Sequence, residues 1–390
     1  LVGGACGAEA SHAGDLALHD VSDATEDTAP ALAPAPAMAA LGSVAMGEDG
    51  RSDVFTVTLP EGHGVLGVLV EPNTPGERSD LCFQLEEVTT AAGATWVPRA
   101  SGPSEWGQTC GDCTQRVFLS YGAGLYVFPN GAEPLAAGEE VSGRVALRDC
   151  LSWLPVSEAV DGPLPEAVSV SWASWPEPVE AEPLALHVHL IVASDALASD
   201  ALREAAVDRA RELLALADVS MTVTGETRVA DPGELEVSVA DPASLVDVLD
   251  QVDVTPGEVP VVLTPCVSVS NEVFGEMAQP NGFTFRIPGG YGGARAADAV
   301  FLRGASCSDP AAAYWSSAEA MGTVMAHELG HFLGLYHSPD HLPDTDGGGT
   351  LMDADPLAVD KPSFTASQRR VLRRHPLLRP VAQGNSEAGM

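Results

Sequence analysis

The chain is predicted to be multidomain: an N-terminal all-β sandwich, then an α+β domain with a twisted sheet and a helix bearing the site. Three observations carry this reading. Short runs of alternating apolar residues, broken by Gly, Pro and Asn, fill residues 46–155. Strand and helix patterns take turns over residues 186–382. Between them, residues 156–185 are rich in proline and read as a linker. Length agrees, because 390 residues exceed one average domain and suggest two plus tails.

Composition limits the function. Hydrophobic content of 45% and six tryptophans are enough for real cores. No uninterrupted apolar run approaches the roughly twenty residues of a membrane-spanning helix. A formal charge of −36 repels phosphates and argues against a nucleic-acid partner. It fits a soluble secreted protein. Lys361 is the one lysine among nineteen basic residues, a bias that points to a GC-rich bacterial genome.

Residues 1–45 are expected to be a signal remnant and a disordered tether, since Ala, Pro, Asp and Glu there cannot bury enough apolar surface to fold. Small residues precede Cys6 in Leu1-Val2-Gly3-Gly4-Ala5-Cys6, which resembles a bacterial lipoprotein cleavage site, with Gly3 where leucine is usual. Two readings follow: a lipid anchor at Cys6, or ordinary secretion with Cys6 in the tail. Six cysteines remain, an even number that suits disulfides in an oxidising compartment.

The sandwich is read from runs such as Val54–Leu59, Val65–Val70, Val117–Tyr121, Gly124–Phe128 and Val145–Leu147. Its Cys110-Gly-Asp-Cys113 lacks a second C-x-x-C and a βαβ setting, so disulfides with Cys82 and Cys150 are expected, connectivity open. This region faintly resembles accessory domains of secreted bacterial peptidases.

In the second domain, Leu186–Val192 reads as a strand whose His187 and His189 share a face; a packed or solvated pair is expected there rather than a metal site. A helix follows over 200–217, with an apolar stripe from Leu202 to Leu214 and Ser199 as its cap. Strands are expected at 219–228, 259–264, 283–287 and 298–303, with a short helix near 242–250. Cys266 and Cys307 flank the last strands and are placed to bridge them. Pro288 to Gly293 reads as a flexible loop, since no phosphate-binding pattern follows it. Ser316-x-x-Glu319 forms a capping box before a helix over 317–333, in which Gly322 and Gly330 allow the sheet to approach. A last helix is expected over 364–375, capped by Thr365, and residues 383–390 as a disordered tail.

The helix over 317–333 carries the chemistry. It contains His327-Glu328-Leu329-Gly330-His331, and Gly334 and His337 complete H-E-x-x-H-x-x-G-x-x-H. Histidines four apart lie on one helix face and can reach one metal ion. Glu328 is offset by one residue, near that ion without ligating it. Gly334 can take a positive φ, end the helix and let His337 turn back to the same ion. The bland alternative is a pair of core histidines. A bare H-E-x-x-H occurs by chance; the full pattern with Gly334 and His337 is far rarer.

This motif, with Met352 fifteen residues past His337, resembles the signature of the metzincin zinc metalloproteases. The specific match covers residues 327–352. The resemblance implies Zn2+ held by His327, His331 and His337, and Glu328 as general base on a zinc-activated water. It also implies a turn at Met352 beneath the metal, and endopeptidase action on extracellular proteins. In some metzincins a tyrosine two residues after the turn methionine also touches the metal; here that position is Ala354. Leu335-Tyr336-His337 resembles the pappalysin group, whereas Ser338 after the third histidine resembles the matrixins, so the subfamily stays open. The loop from Ser338 to Thr350 holds His341, expected not to be a ligand, and Asp344 and Asp346, candidate Ca2+ ligands. The alternative function is a surface binding or adhesion protein with a structural or degenerate zinc site.

Overall fold

The computed structural model describes residues 32–73, 81–99, 115–117, 119–131, 135–136, 138–150, 154–156, 163–180, 182–193, 199–229, 235–238, 243–271, 276–290, 298–309 and 312–381. The expectations for Cys6, for residues 1–31, for Cys110 and Cys113, and for the tail from 383 lie outside these residues.

Period-two burial builds the first half. Nine strands are β1 (Ala39–Ala45), β2 (Phe55–Thr58), β3 (Val65–Pro72), β4 (Leu81–Thr90), β5 (Thr95–Val97), β6 (Ser120–Tyr121), β7 (Gly124–Phe128), β8 (Glu140–Asp149) and β9 (Ala167–Trp175). In β2, Phe55 and Val57 are buried while Thr56 and Thr58 are exposed. The strands make two antiparallel sheets, β1-β9-β3-β7 and β2-β8-β4-β5, with β6 on β4. Val68, Val70, Phe128 and Val170 from one sheet share a single core with Phe83, Leu85, Val145 and Leu147 from the other. Two sheets facing one another across one apolar layer is the packing of a β-sandwich.

Two boundaries expected from sequence are corrected. Residues 39–45, assigned to the tether, form the edge strand β1, and residues 167–175, assigned to the linker, form β9 between β1 and β3. The prolines at 163, 165, 176 and 178 flank β9 without interrupting it, and Val168 and Val170 point inward, with Trp172 packed against the same core. The cysteine expectation is also corrected: Cys82 and Cys150 bond to each other, so neither is left for Cys110 or Cys113.

The second half follows as β10 (Leu184–Val192), α1 (Asp200–Ala215), β11 (Val219–Arg228), β12 (Leu235–Ser238), α2 (Ala243–Leu249), β13 (Val259–Thr264), β14 (Val267–Asn271), β15 (Glu276–Ala278), β16 (Gly282–Thr284), β17 (Val300–Arg303), α3 (Ala318–Phe332), α4 (Ala366–Arg373) and β18 (Arg379–Pro380). The main sheet runs β11-β10-β13-β17-β16, parallel except that β16 is antiparallel to β17; β18 pairs with β10. Buried on both faces, β13 is apolar from Val259 to Leu263 and β17 from Val300 to Leu302, as suits interior strands. On one face Val188, Leu190, Val261, Leu263 and Val300 pack against Ala206, Ala210 and Leu214 of α1 and Met325, Leu329 and Phe332 of α3. On the other, Ile191, Val262 and Phe301 meet Val248 and Leu249 of α2. Cys266 and Cys307 are bonded, tying the chain after β13 to the chain after β17 as expected.

Local signals fix most helix ends. Ser199 caps α1 by accepting from Leu202 N, and Thr365 with Gln368 forms a full capping box on α4. At α3 the expected box on Ser316 does not form. Ser317 is the cap, accepting from Ala320 N, and Glu319 pairs instead with Arg209 of α1 at 3.5 Å. Gly322 and Gly330 also serve differently from expectation. A Cβ at Gly322 would strike Ala206 O, so this glycine admits α1 rather than the sheet, while Gly330 faces Met352.

Candidate metal centre

Helix α3 sets His327 and His331 one turn apart, both buried. Gly334, at φ +103°, then ends the helix. Its N–H bonds to His331 O and that of Leu335 to Gly330 O, the paired bonds of a Schellman motif. The reversal returns His337 to the other two histidines, as the sequence predicts. Nε2 of His327 lies 3.1 Å from Nε2 of His331 and 3.3 Å from Nε2 of His337. Among the described residues this is the one group of three metal-binding side chains close enough to hold an ion.

The protons on these rings are fixed by backbone carbonyls. Nδ1 of His327 donates to Leu351 O, and Nδ1 of His331 to Leu335 O, each at 2.7 Å. A carbonyl only accepts, so both Nδ1 atoms carry hydrogen and both Nε2 atoms present lone pairs to each other. Lone pairs facing at 3.1 Å repel unless a cation lies between them. Zn–N bonds of about 2.0–2.1 Å in a tetrahedron set their nitrogens about 3.3 Å apart, close to the 3.1 and 3.3 Å of the two pairs that include His327. The donor set fits zinc.

Electrostatics agree. Burial holds His327 down to about 4, with the neighbouring His337 adding to the shift, and burial likewise lowers His331 and His337. All three imidazoles are therefore neutral at pH 7, the form that ligates. Burial pushes the Glu328 carboxyl up to about 8, opposed by a hydrogen bond from Thr284 Oγ1 at 3.1 Å. A divalent cation beside it would draw it back down.

The floor of the centre is the turn around Met352. Asp353 accepts from Gly349 N, Thr350 N and Thr350 Oγ1, and Thr350 Oγ1 accepts from Met352 N. Ser338 N donates to Met352 O, joining the turn to the segment after His337. The knot presents Leu351 O to His327 and packs Met352 Sδ where a Cβ on Gly330 would be only 2.5 Å away. Gly330 is needed for this contact.

The other candidates lie elsewhere. His189 Nε2 pairs with Thr227 Oγ1 at 2.8 Å, and His187 is half-buried on the same strand. His341 donates from Nε2 to Asn130 O of the sandwich at 2.8 Å. Asp344 accepts from Ser367 N and so anchors α4. Neither Asp344 nor Asp346 joins a group of three or more metal-binding side chains among the described residues. Sequence reasoning missed Thr284, the Thr350–Asp353 knot and the sandwich contacts of Asn130 and Arg374. Arg374 is buried, pairs with Glu177 at 2.7 Å and donates to Pro129 O and Gly131 O. Apart from the knot, which surrounds Met352, none of these lies within a motif.

Two histidines away from the centre, His375 buried and His341 partly buried, set an acid limit on stability. Burial lowers His341 to about 4, with Arg116 adding, and His375 to about 3. Unfolded, each binds a proton below about 6.5. Between the folded and unfolded values the unfolded chain holds more protons, so stability falls as pH drops from about 6.5. The thermal midpoint is expected to be lower at pH 5 than at pH 7, and His375→Phe, which cannot titrate, to show a shallower fall. A midpoint independent of pH over that range would contradict this.

No protein-family model matches the chain, and no curated protein matches it. Among solved structures it is similar to metalloproteinase-II from Bacteroides fragilis, at 16% identity and a TM-score of 0.33. The alignment covers 54% of this chain and 63% of that one. A score that low carries no weight for fold or function. The centre stands on its own geometry.

Proposed function

We propose that this chain is a zinc-dependent endopeptidase of the metzincin type, hydrolysing peptide bonds of extracellular proteins, its subfamily open between pappalysin-like and matrixin-like. The observation that carries the reading is the convergence of three histidine side chains, two of them with Nε2 lone pairs fixed by their Nδ1 hydrogen bonds, on and just past the helix that also buries Glu328. His327, His331 and His337 would hold the ion, with Met352 beneath. A zinc ion with three neutral imidazole donors keeps its charge and an open position, and supplies Lewis-acid activation of water and of the scissile carbonyl. Glu328 would take the water's proton and pass it to the departing amine. A structural zinc site would close with a fourth protein ligand; the group here has three.

The proposed setting is the cell exterior, by secretion or through a lipid anchor at Cys6. The two disulfides suit an oxidising compartment. No helix among the described residues is long and apolar enough to cross a membrane. In this reading the sheets of residues 39–175 form an accessory domain on a catalytic domain beginning near residue 184.

The test is cleavage of casein by the purified full chain. Cleavage that a chelator abolishes and stoichiometric zinc restores is the expected result. A zinc-loaded, folded chain inert on casein, gelatin and a mixed peptide library would remove the endopeptidase reading. Cleavage indifferent to the chelator would remove the metal.

A further inference from the structure

The outermost strand of the main sheet, β16, runs against α3 at the position of Glu328. Its approach is close: a Cβ on Gly282 would lie 2.9 Å from Glu328 Cγ. Two residues on, Thr284 Oγ1 stands 3.1 Å from Glu328 Oε2 and 2.9 Å from the main-chain oxygen of the same residue. Among the described residues, Thr284 is the side chain that hydrogen-bonds this carboxylate. A glutamate has three side-chain torsions, and burial restricts its volume without choosing its carboxyl orientation. Something must choose it, because a proton acceptor works only within hydrogen-bond reach of the proton it takes.

We infer that Thr284 is the positioning residue of the centre, its hydroxyl tying the Glu328 carboxyl, and the helix backbone at that residue, to the edge strand. The functional consequence rests on the endopeptidase reading above. The side-chain hydrogen bonds of Thr284 go to Glu328, and it acts through that residue. Its one proton serves either the main-chain oxygen or Oε2 of Glu328 at a time, and both lie within its reach. The link spans 44 residues of sequence and brings together an edge strand and a helix that share no motif.

Thr284→Val keeps the shape and removes the hydroxyl, and Thr284→Ser restores it. In the full zinc-loaded chain, Thr284→Val is expected to lower kcat on a casein-derived peptide by about 10–100-fold, the scale of a misplaced catalytic group, with KM little changed. Zinc content should stay at the wild-type level, and Thr284→Ser should recover most of the lost rate. Crystal structures supply a readout independent of activity: the Glu328 carboxyl should occupy a displaced or second rotamer in Thr284→Val and the original one in Thr284→Ser. Wild-type kcat in Thr284→Val, or an unmoved carboxyl, would overturn the inference, as would a serine variant no better than the valine. If the wild type binds zinc and cleaves nothing, the endopeptidase reading fails by itself, and the rotamer comparison still decides the role of Thr284.

Discussion

Glu328→Ala is expected to lower peptide cleavage by about 10²–10⁴-fold, the range general acid–base catalysis contributes, while the chain keeps its zinc. The residue is buried in α3, one position along from His327. It is not among the three side chains that converge as metal donors. Removing it therefore takes away the proton acceptor and leaves the donor set intact. The same substitution relieves a buried ionisable group whose carboxyl burial already disfavours as an anion. Folding should not suffer, and the thermal midpoint should hold or rise. Zinc content and cleavage rate must be measured on one sample. Cleavage at the wild-type rate would exclude Glu328 as the base.

His331→Ala is expected to abolish zinc retention and cleavage together. Loss of an outer hydrogen-bond partner of a ligand typically costs about 10–100-fold in metal affinity, and loss of a ligand should cost more. The variant should also be less stable even without metal. His331 Nδ1 is the partner of Leu335 O just past the helix end, and a carbonyl left unpaired in the interior costs about 1–3 kcal/mol. His337 is only partly buried, and no backbone partner is recorded for its ring. His337→Ala should therefore lose zinc with a smaller loss of metal-free stability. Equilibrium zinc competition and thermal unfolding of both apo-proteins separate the two effects. Equal destabilisation would contradict the hydrogen-bond assignment, and undiminished zinc affinity in either variant would contradict the ligand assignment.

Which features were legible in the sequence follows from how far apart the interacting residues lie. The histidine pair, the glycine stop at Gly334 and the caps at Ser199 and Thr365 depend on neighbours within a turn or two. Spacing alone discloses such neighbours, and the structure places them as expected. The start of α3 shows the resolution of that method: the cap is Ser317 rather than the expected Ser316, and this one-residue shift leaves Glu319 to meet Arg209. β9 was hidden by composition, because prolines on both sides drew its alternating Val168, Val170 and Trp172 into an apparent linker.

The rest was out of reach because it arises only when distant segments meet. Gly330 reads as a spacing glycine until Met352 arrives against it. Thr284 reads as an ordinary strand residue until β16 is laid beside Glu328. His341 and Asn130 are 211 residues apart, and nothing local to either announces the bond that joins the loop after the centre to the sandwich. The cysteines behaved likewise: their number suggested oxidation, but only the pairing of β4 with β8 brings Cys82 to Cys150.

The metal itself gives the sharpest test. Elemental analysis of the purified chain, with X-ray absorption at the zinc edge, should find one zinc per chain. Its shell should contain three nitrogen donors at about 2.0–2.1 Å. A folded chain that stays free of zinc when zinc is supplied, or one that binds it through sulfur or carboxylate with the three imidazoles unliganded, would contradict the account.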